Sequence, residues 1–307
     1  MSKELQKKTR GNIAITGRIV GLNNKEIRST NWIKELKFGV MTTKDNMVYV
    51  QAMGFNKADD DDILVEFQDE DKKRTIKKVP YGDRFFLEEG ETVIGTKIKK
   101  SPDGQVETFV DVDGVQIIKD NFKDGQVVTI VANAEADTYY QGLKFNINRI
   151  YASSKEMDFE KGNFEEENHG RLWVAFAGIE NEKVNGFIFD RKDEGVKLEF
   201  DLDTKYISVE DFAEFEQGTI IQLEYEYGKN PIYEDVEIEE EKDEPKFKPK
   251  GKYASEVNNS GGGRRFPQIT GYTEKLVCTG ISNLNTEEVI DLTPYLSIAD
   301  SEEDIPF

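Results

Sequence analysis

Apolar and polar residues alternate along most of this chain, in short runs that glycine, asparagine or aspartate soon interrupts. A period of two is the signature of a half-buried strand, because successive side chains point to opposite faces of a sheet. In GNIAITGRIVGL, Ile13, Ile15, Gly17 and Ile19 share one face, while Thr16, Arg18 and Val20 share the other. IKELKFGVMTT and NMVYVQAMGF follow as strands, joined at KDN in a hairpin. NKADDDDILVEFQDEDKKRTIKKVPYG is an exposed, mixed-charge excursion with a short strand and a helical turn. ETVIGTKIKK, GQVETFVDVDGVQII, GQVVTIVANAEADTYY and GLKFNINRIYAS supply four more strands. Residues 1–153 are therefore expected to form a small, closed or nearly closed antiparallel barrel with one decorated connection.

A second β domain is expected over residues 165–285, through GRLWVAFAGIEN, GFIFD, GVKLEFDL, GTIIQLEYEYG and FPQITGYTEKLVCTGIS. It faintly repeats the first. NFKDGQVVTIVANA aligns with EFEQGTIIQLEYEY, pairing Phe122 with Phe215 and Gly125 with Gly218, which duplication and convergence explain equally well. Between its last two strands, residues 234–265 read as a disordered insertion, first acidic, then basic with prolines, then glycine-rich. There Lys246, Lys248, Lys250, Lys252, Arg264 and Arg265 are expected to stay solvated. Residues 286–307 read as a flexible acidic tail, although SNLNTEEVIDLTPYLSIAD, which overlaps its start, reads as partly structured. The fold class is thus mainly β, with OB-fold-like barrels in tandem.

Several function classes fall away. The single cysteine, Cys278, cannot form an internal disulfide, and MSKELQKKTR has no apolar segment behind it, so a cytoplasmic protein is expected. The longest apolar stretch, LWVAFAGI, is too short to span a bilayer, so no membrane partner is expected. With His169 and Cys278 the only members of their kinds, no His/Cys metal cluster and no Cys-His nucleophile pair can be assembled. Neither GxxxxGK[ST] nor GxGxxG occurs. Asp59–Asp62 could hold Mg²⁺ for an enzyme, but adjacent loop carboxylates usually stay hydrated. No cofactor, no metal and no enzymatic activity are expected.

Charge is distributed unevenly. Net charge is -20, yet Met1–Ser153 is balanced, so the whole excess lies beyond it. A neutral first half can carry a basic groove on one side. Single strands of nucleic acid are held by cations on phosphates and aromatic faces under bases. The first domain has both. NNKEIRSTNWIK offers Lys25, Arg28, Trp32 and Lys34, followed by Lys37 on one strand and by Tyr49 and Phe55 on the next. Arg18 lies on the polar face of the first strand, GTKIKK places Lys97 and Lys99 on one face, and DTYYQGLK presents Tyr139, Tyr140 and Lys144. Phe38, in phase with Leu36 and Val40, belongs to the core, whereas Tyr49 is out of phase with Val48 and Val50. Trp32 can pack or stack. The loops after the first strand and between the last two are those that flank the binding face of five-stranded oligonucleotide-binding barrels.

The chain closes on SEEDIPF. Glu302, Glu303, Asp304, Ile305, Pro306 and Phe307 resemble the terminal peptide of bacterial single-stranded DNA-binding proteins, an acidic tail with an isoleucine-proline-phenylalanine tip. The resemblance implies single-stranded DNA as ligand and replication, recombination and repair enzymes as partners of the tip. The ring of Phe307 would enter an apolar pocket, its α-carboxylate meeting a cation at the rim. The longer chain looks more like a bacteriophage version, acting in the cytoplasm of a bacterial host. The alternative is an acidic DNA mimic that captures host DNA-processing enzymes without binding DNA itself.

Overall fold

Alternation decides which face each strand buries. In β1 (Gly11–Val20) Ile13, Ile15 and Ile19 are buried, while Asn12 and Arg18 are exposed. In the hairpin of β3 (Ile33–Met41) and β4 (Met47–Phe55), Leu36, Phe38, Val40, Val48, Val50 and Ala52 point into the same core. The computed structural model describes residues 4–68, 72–161, 165–237 and 265–299, with the side chains of 229–237, 265–273, 286–287 and 297–299 left aside. The protein is mainly β, with antiparallel and mixed sheets.

The pairings of the first half run in a circuit. β1 pairs antiparallel with β10 (Val127–Asp137), and its last residues pair with β3. β3 pairs with β4. β4 meets β11 (Gly142–Ala152) in parallel at Gln51 and Asn146, and β11 returns antiparallel to β10. Short strands fill the margins. β2 (Arg28–Ser29) edges β3, and β8 (Thr96–Lys99) lies parallel to β11 and pairs with β9 (Glu107–Phe109).

GQVETFVDVDGVQII is not one strand, as its alternation suggests. Only β9 is extended, and Asp111–Asn121 forms helix α2. Val112, Val115 and Ile118, three residues apart, bury one helical face, and the period of three outweighs the shorter alternation around it. The excursion after β4 is more ordered than expected. β5 (Asp62–Gln68), β6 (Arg74–Pro80) and β7 (Thr92–Val93) form a separate three-stranded sheet over Ile63, Val65 and Val93, with a 3-10 helix at Tyr81–Asp83.

The second half has the same order of pairings. β12 (Asn168–Glu180) pairs with β13 (Lys183–Phe189), β13 with β14 (Gly195–Leu202), and β14 in parallel with β16 (Arg265–Val289). β16 neighbours β15 (Thr219–Glu237), and β15 returns antiparallel to β12. A 3-10 helix, Val209–Phe212, occupies the place of α2. The aligned glycines also match. Gly125 and Gly218 both have positive φ, 82° and 91°, and their amides donate to Ile19 of β1 and Phe176 of β12 at 2.8 and 2.7 Å.

The two halves share one sheet. β1 pairs antiparallel with β12 over Gly11–Ile15, where Gly170 has no room for a side chain: a Cβ would lie 2.4 Å from the Asn12 carbonyl and 2.6 Å from the Tyr225 ring. Two compact units are distinguished, residues 1–228 with 274–307, and residues 229–273. Of the latter, the described parts are strand. Positions 234–237 and Arg265 of the expected insertion belong to β15 and β16, and 238–264 lies outside the described residues.

The segment expected as a flexible tail begins in structure. β16 continues to Val289, and Thr293–Ala299 is helix α3. Ile290 and Leu292 are buried against Phe187 and Phe189, with Tyr295 and Leu296 packed on that cluster. This agrees with the reading of SNLNTEEVIDLTPYLSIAD as partly structured. Among the described residues, no helix is long and apolar enough to cross a membrane.

Candidate nucleic-acid interface

The outer face of the β3–β4 hairpin carries the side chains left by the alternation that builds the core. Tyr49, Gln51, Met53 and Phe55 follow one another along β4, opposite Gly39, Lys37, Glu35 and Ile33 of β3. Tyr49 and Phe55 are about half exposed. Phe38 is buried, as its phase predicts.

Trp32 stands at the Phe55 end of this face with 79% of its surface exposed. Its backbone is fixed. The Thr30 hydroxyl accepts from the amides of Trp32 and Ile33 at 3.2 and 3.1 Å, and the Asn56 amide donates to the Trp32 carbonyl at 2.8 Å. Farther back, Asp124 accepts from the Leu22 amide and Lys119 donates to the Leu22 carbonyl, which ties down the start of the loop.

Tyr139 and Tyr140 form the turn between β10 and β11, 84% and 75% exposed, ring edge to ring face with centroids 4.7 Å apart. Asp137 sets the turn by accepting from both tyrosine amides. The parallel register of Asn146 with Gln51 brings this turn toward the Met47 end of β4. Trp32 and the tyrosine pair therefore mark opposite ends of one aromatic row, with Tyr49 and Phe55 between them. From Tyr49 to Phe55 the strand advances about 20 Å.

The cations divide into two groups. Lys25, Lys34, Lys97, Lys99 and Lys144 make no ion pair among the described residues. Arg28 and Lys37 are both held by Glu35, at 3.6 and 3.2 Å. Arg18 is exposed, and its guanidinium donates to the Met157 carbonyl and lies 5.2 Å from the Phe159 ring centroid, against the segment after β11. Lys97 and Lys99 alternate with buried Thr96 and Ile98 and face Arg149 and Tyr151 on β11. The exposed Arg149 had no strand pattern to single it out, because the β10–β11 register shifts beside it.

Two exposed rings of the excursion, Phe85 and Phe86, were also unforeseen. Arg84 stacks on Tyr81 and Phe85 and donates to Asp113 of α2 at 2.8 Å. Tyr81 donates to the same carboxylate at 2.6 Å, and burial followed by that contact pushes its phenol up to about 12. Signals for this anchor existed only as isolated aromatic and charged residues.

No protein-family model and no curated protein matches this chain. Its chemistry is therefore read from the geometry. Of the aspartate run, Asp61 accepts from the Ala58 amide and Asp62 pairs with Lys78 at 2.9 Å. Among the described residues no group of three or more His, Cys, Asp or Glu side chains is set to hold a metal. Cys278 is fully buried, and desolvation raises its thiol to about 11. The tip residues Glu302, Glu303, Asp304, Ile305, Pro306 and Phe307 lie outside the described residues.

Proposed function

We propose that this protein coats single-stranded DNA, holding it on the outer face of the β3–β4 hairpin, and recruits replication, recombination or repair enzymes through Glu302–Phe307. It acts by binding and not as an enzyme. Each half is an oligonucleotide-binding barrel in which the first strand pairs with the second and fourth, and the fifth closes against the third. The order of pairings and the helix before the fourth strand support this reading in both halves.

The observation that carries the proposal is the row of solvent-facing rings: Trp32, Phe55, Tyr49, Tyr139 and Tyr140 on one sheet face and its two flanking turns. A folded chain exposes few large rings without use, and base stacking is sequence-tolerant because every base offers a π-face. Lys34, Lys97, Lys99 and Lys144 supply phosphate contacts around it. The acidic second half repels polyanions elsewhere and keeps them on this face. The host setting and the tip's partners rest on the terminal resemblance alone.

Titration of intrinsic fluorescence with poly(dT) tests the proposal: saturable quenching that weakens steeply with salt is expected. No binding at low salt would reject it in favour of a DNA mimic. Deleting Asp304–Phe307 should abolish capture of partner enzymes and leave DNA affinity equal or higher. Unchanged capture would remove the recruiting role.

A further inference from the structure

β1 and β12 place a second cationic surface beside the aromatic row, which it meets at Met53 and Lys144. A cleft of about 540 Å³ opens over the N-terminal end of β1, where Lys7, Arg10 and Arg191 converge around Asn12, Asn133 and Trp173. An adjoining cleft of about 280 Å³ shares Arg191 and Glu135 and adds Lys144, Lys192 and Met53. Lys144 and Met53 also border the β3–β4 face, so the two clefts continue that face toward β12. From β4 the way crosses β11, β10 and β1, four inter-strand gaps of about 4.8 Å, or about 19 Å in all.

Charge makes this cleft unusual in a chain of net charge -20. Lys7, Arg10, Arg191 and Lys144 make no ion pair among the described residues, and Lys192 has only a 3.8 Å contact with Glu194. Two carboxylates oppose them. Glu135 sits at the shared wall, and Asp190 is already committed to the amides of Lys192 and Glu194 at 2.7 and 2.9 Å. Trp173 packs one side on the cluster of Phe187 and Phe189 and lines the cleft with the rest. Cations without partners, side-chain amides and one half-buried indole are the components that bind a phosphodiester backbone and a stacked base.

We infer that the strand leaving the Tyr139–Tyr140 end of the β4 face continues through this cleft, with Lys144, Arg191 and Arg10 on its phosphates and Trp173 against a base. The inference rests on the proposed DNA-binding function and extends it: binding has two stages, and the second needs a longer strand than the first.

The chain's two tryptophans, Trp32 and Trp173, report the two stages separately. With tryptophan excited selectively over the tyrosines, only the cleft reports in Trp32→Phe and only the loop in Trp173→Phe. Oligo(dT) of about 5 nucleotides, at the low end of one barrel's site, and of about 25, beyond its upper end, are the ligands. The short strand should quench Trp32 and leave Trp173 unchanged, and the long strand should quench both. In Arg10→Ala/Arg191→Ala the salt dependence for the long strand should flatten by about 1.4, at about 0.7 per lost phosphate contact, with no change for the short one. If Trp32 responds while Trp173 ignores every length and the double variant matches the wild type, the cleft plays no part and this inference falls alone. If neither tryptophan responds to either strand, the DNA-binding function falls and takes the cleft with it.

Discussion

The two halves follow one order of strand pairing and differ in what covers the corresponding face. On β3 and β4 the outer face is open, and Tyr49, Phe55 and the adjoining Trp32 meet solvent. On β13, which holds the place of β3, the outward rings Phe187 and Phe189 are buried. Tyr295 of α3 lies on both, with centroids 6.1 and 4.9 Å away, and Ile290 and Leu292 complete the cover. Leu5 of α1 (Glu4–Lys8) packs on the same cluster from the other end of the chain. The same face is thus left open in one half and covered by α1, Ile290, Leu292 and α3 in the other. Topology supplies the surface, and the segments that dock there decide its use.

The covered and the open face should differ most in stability. Phe189→Ala should cost about 3–5 kcal/mol in denaturant unfolding, because it empties a covered cluster. Phe55→Ala, on the open face, should stay within about 0.5 kcal/mol. Equal losses would mean that the two faces are not differently used.

Cys278 reports on the core of the second half. With its thiol raised to about 11 by burial, less thiolate is present at a given pH than in the unfolded chain, so the native protein reacts more slowly. At pH 8 thiol labelling should be slower in the native protein by roughly 90-fold on that ground alone. Labelling at the unfolded rate would show that the second half opens freely.

On the open face, Trp32→Ala and Phe55→Ala should each weaken poly(dT) binding by roughly 5- to 150-fold, corresponding to about 1–3 kcal/mol per stacked base. The smallest expected change runs the other way. Glu35→Gln frees Arg28 and Lys37, so binding should tighten and its salt dependence steepen by about 0.7 for each cation that then takes a phosphate. A decrease in affinity would show that Glu35 positions these cations for the ligand.

The period of two in β1, β3, β4, β10 and β11 made the strands legible, and it separated inward Phe38 from outward Tyr49 without coordinates. It misread α2, because VETFVDVDGV alternates while the helix uses Val112, Val115 and Ile118. It did not single out α3 within a stretch that read as partly structured, because Thr293–Ala299 is only two turns long, too short for a helical period to show. Side-chain engagement was not legible. Arg18 meets a carbonyl 139 positions away, and Arg28 of β2 reaches Glu35 across a strand pair, where it shares the carboxylate with Lys37 of the same strand as Glu35. Local pattern fixes which face a residue takes, but only the folded pairings bring its partner.

Photocrosslinking tests the contrast between the halves most directly. Single strands substituted with 5-iododeoxyuridine are irradiated in complex with the full chain, and the adducts are mapped by peptide mass. Adducts are expected at Trp32, Tyr49, Phe55, Tyr139 or Tyr140, and none at Phe187, Phe189 or Tyr295. Adducts confined to the second set, with the first set unmodified, would contradict it.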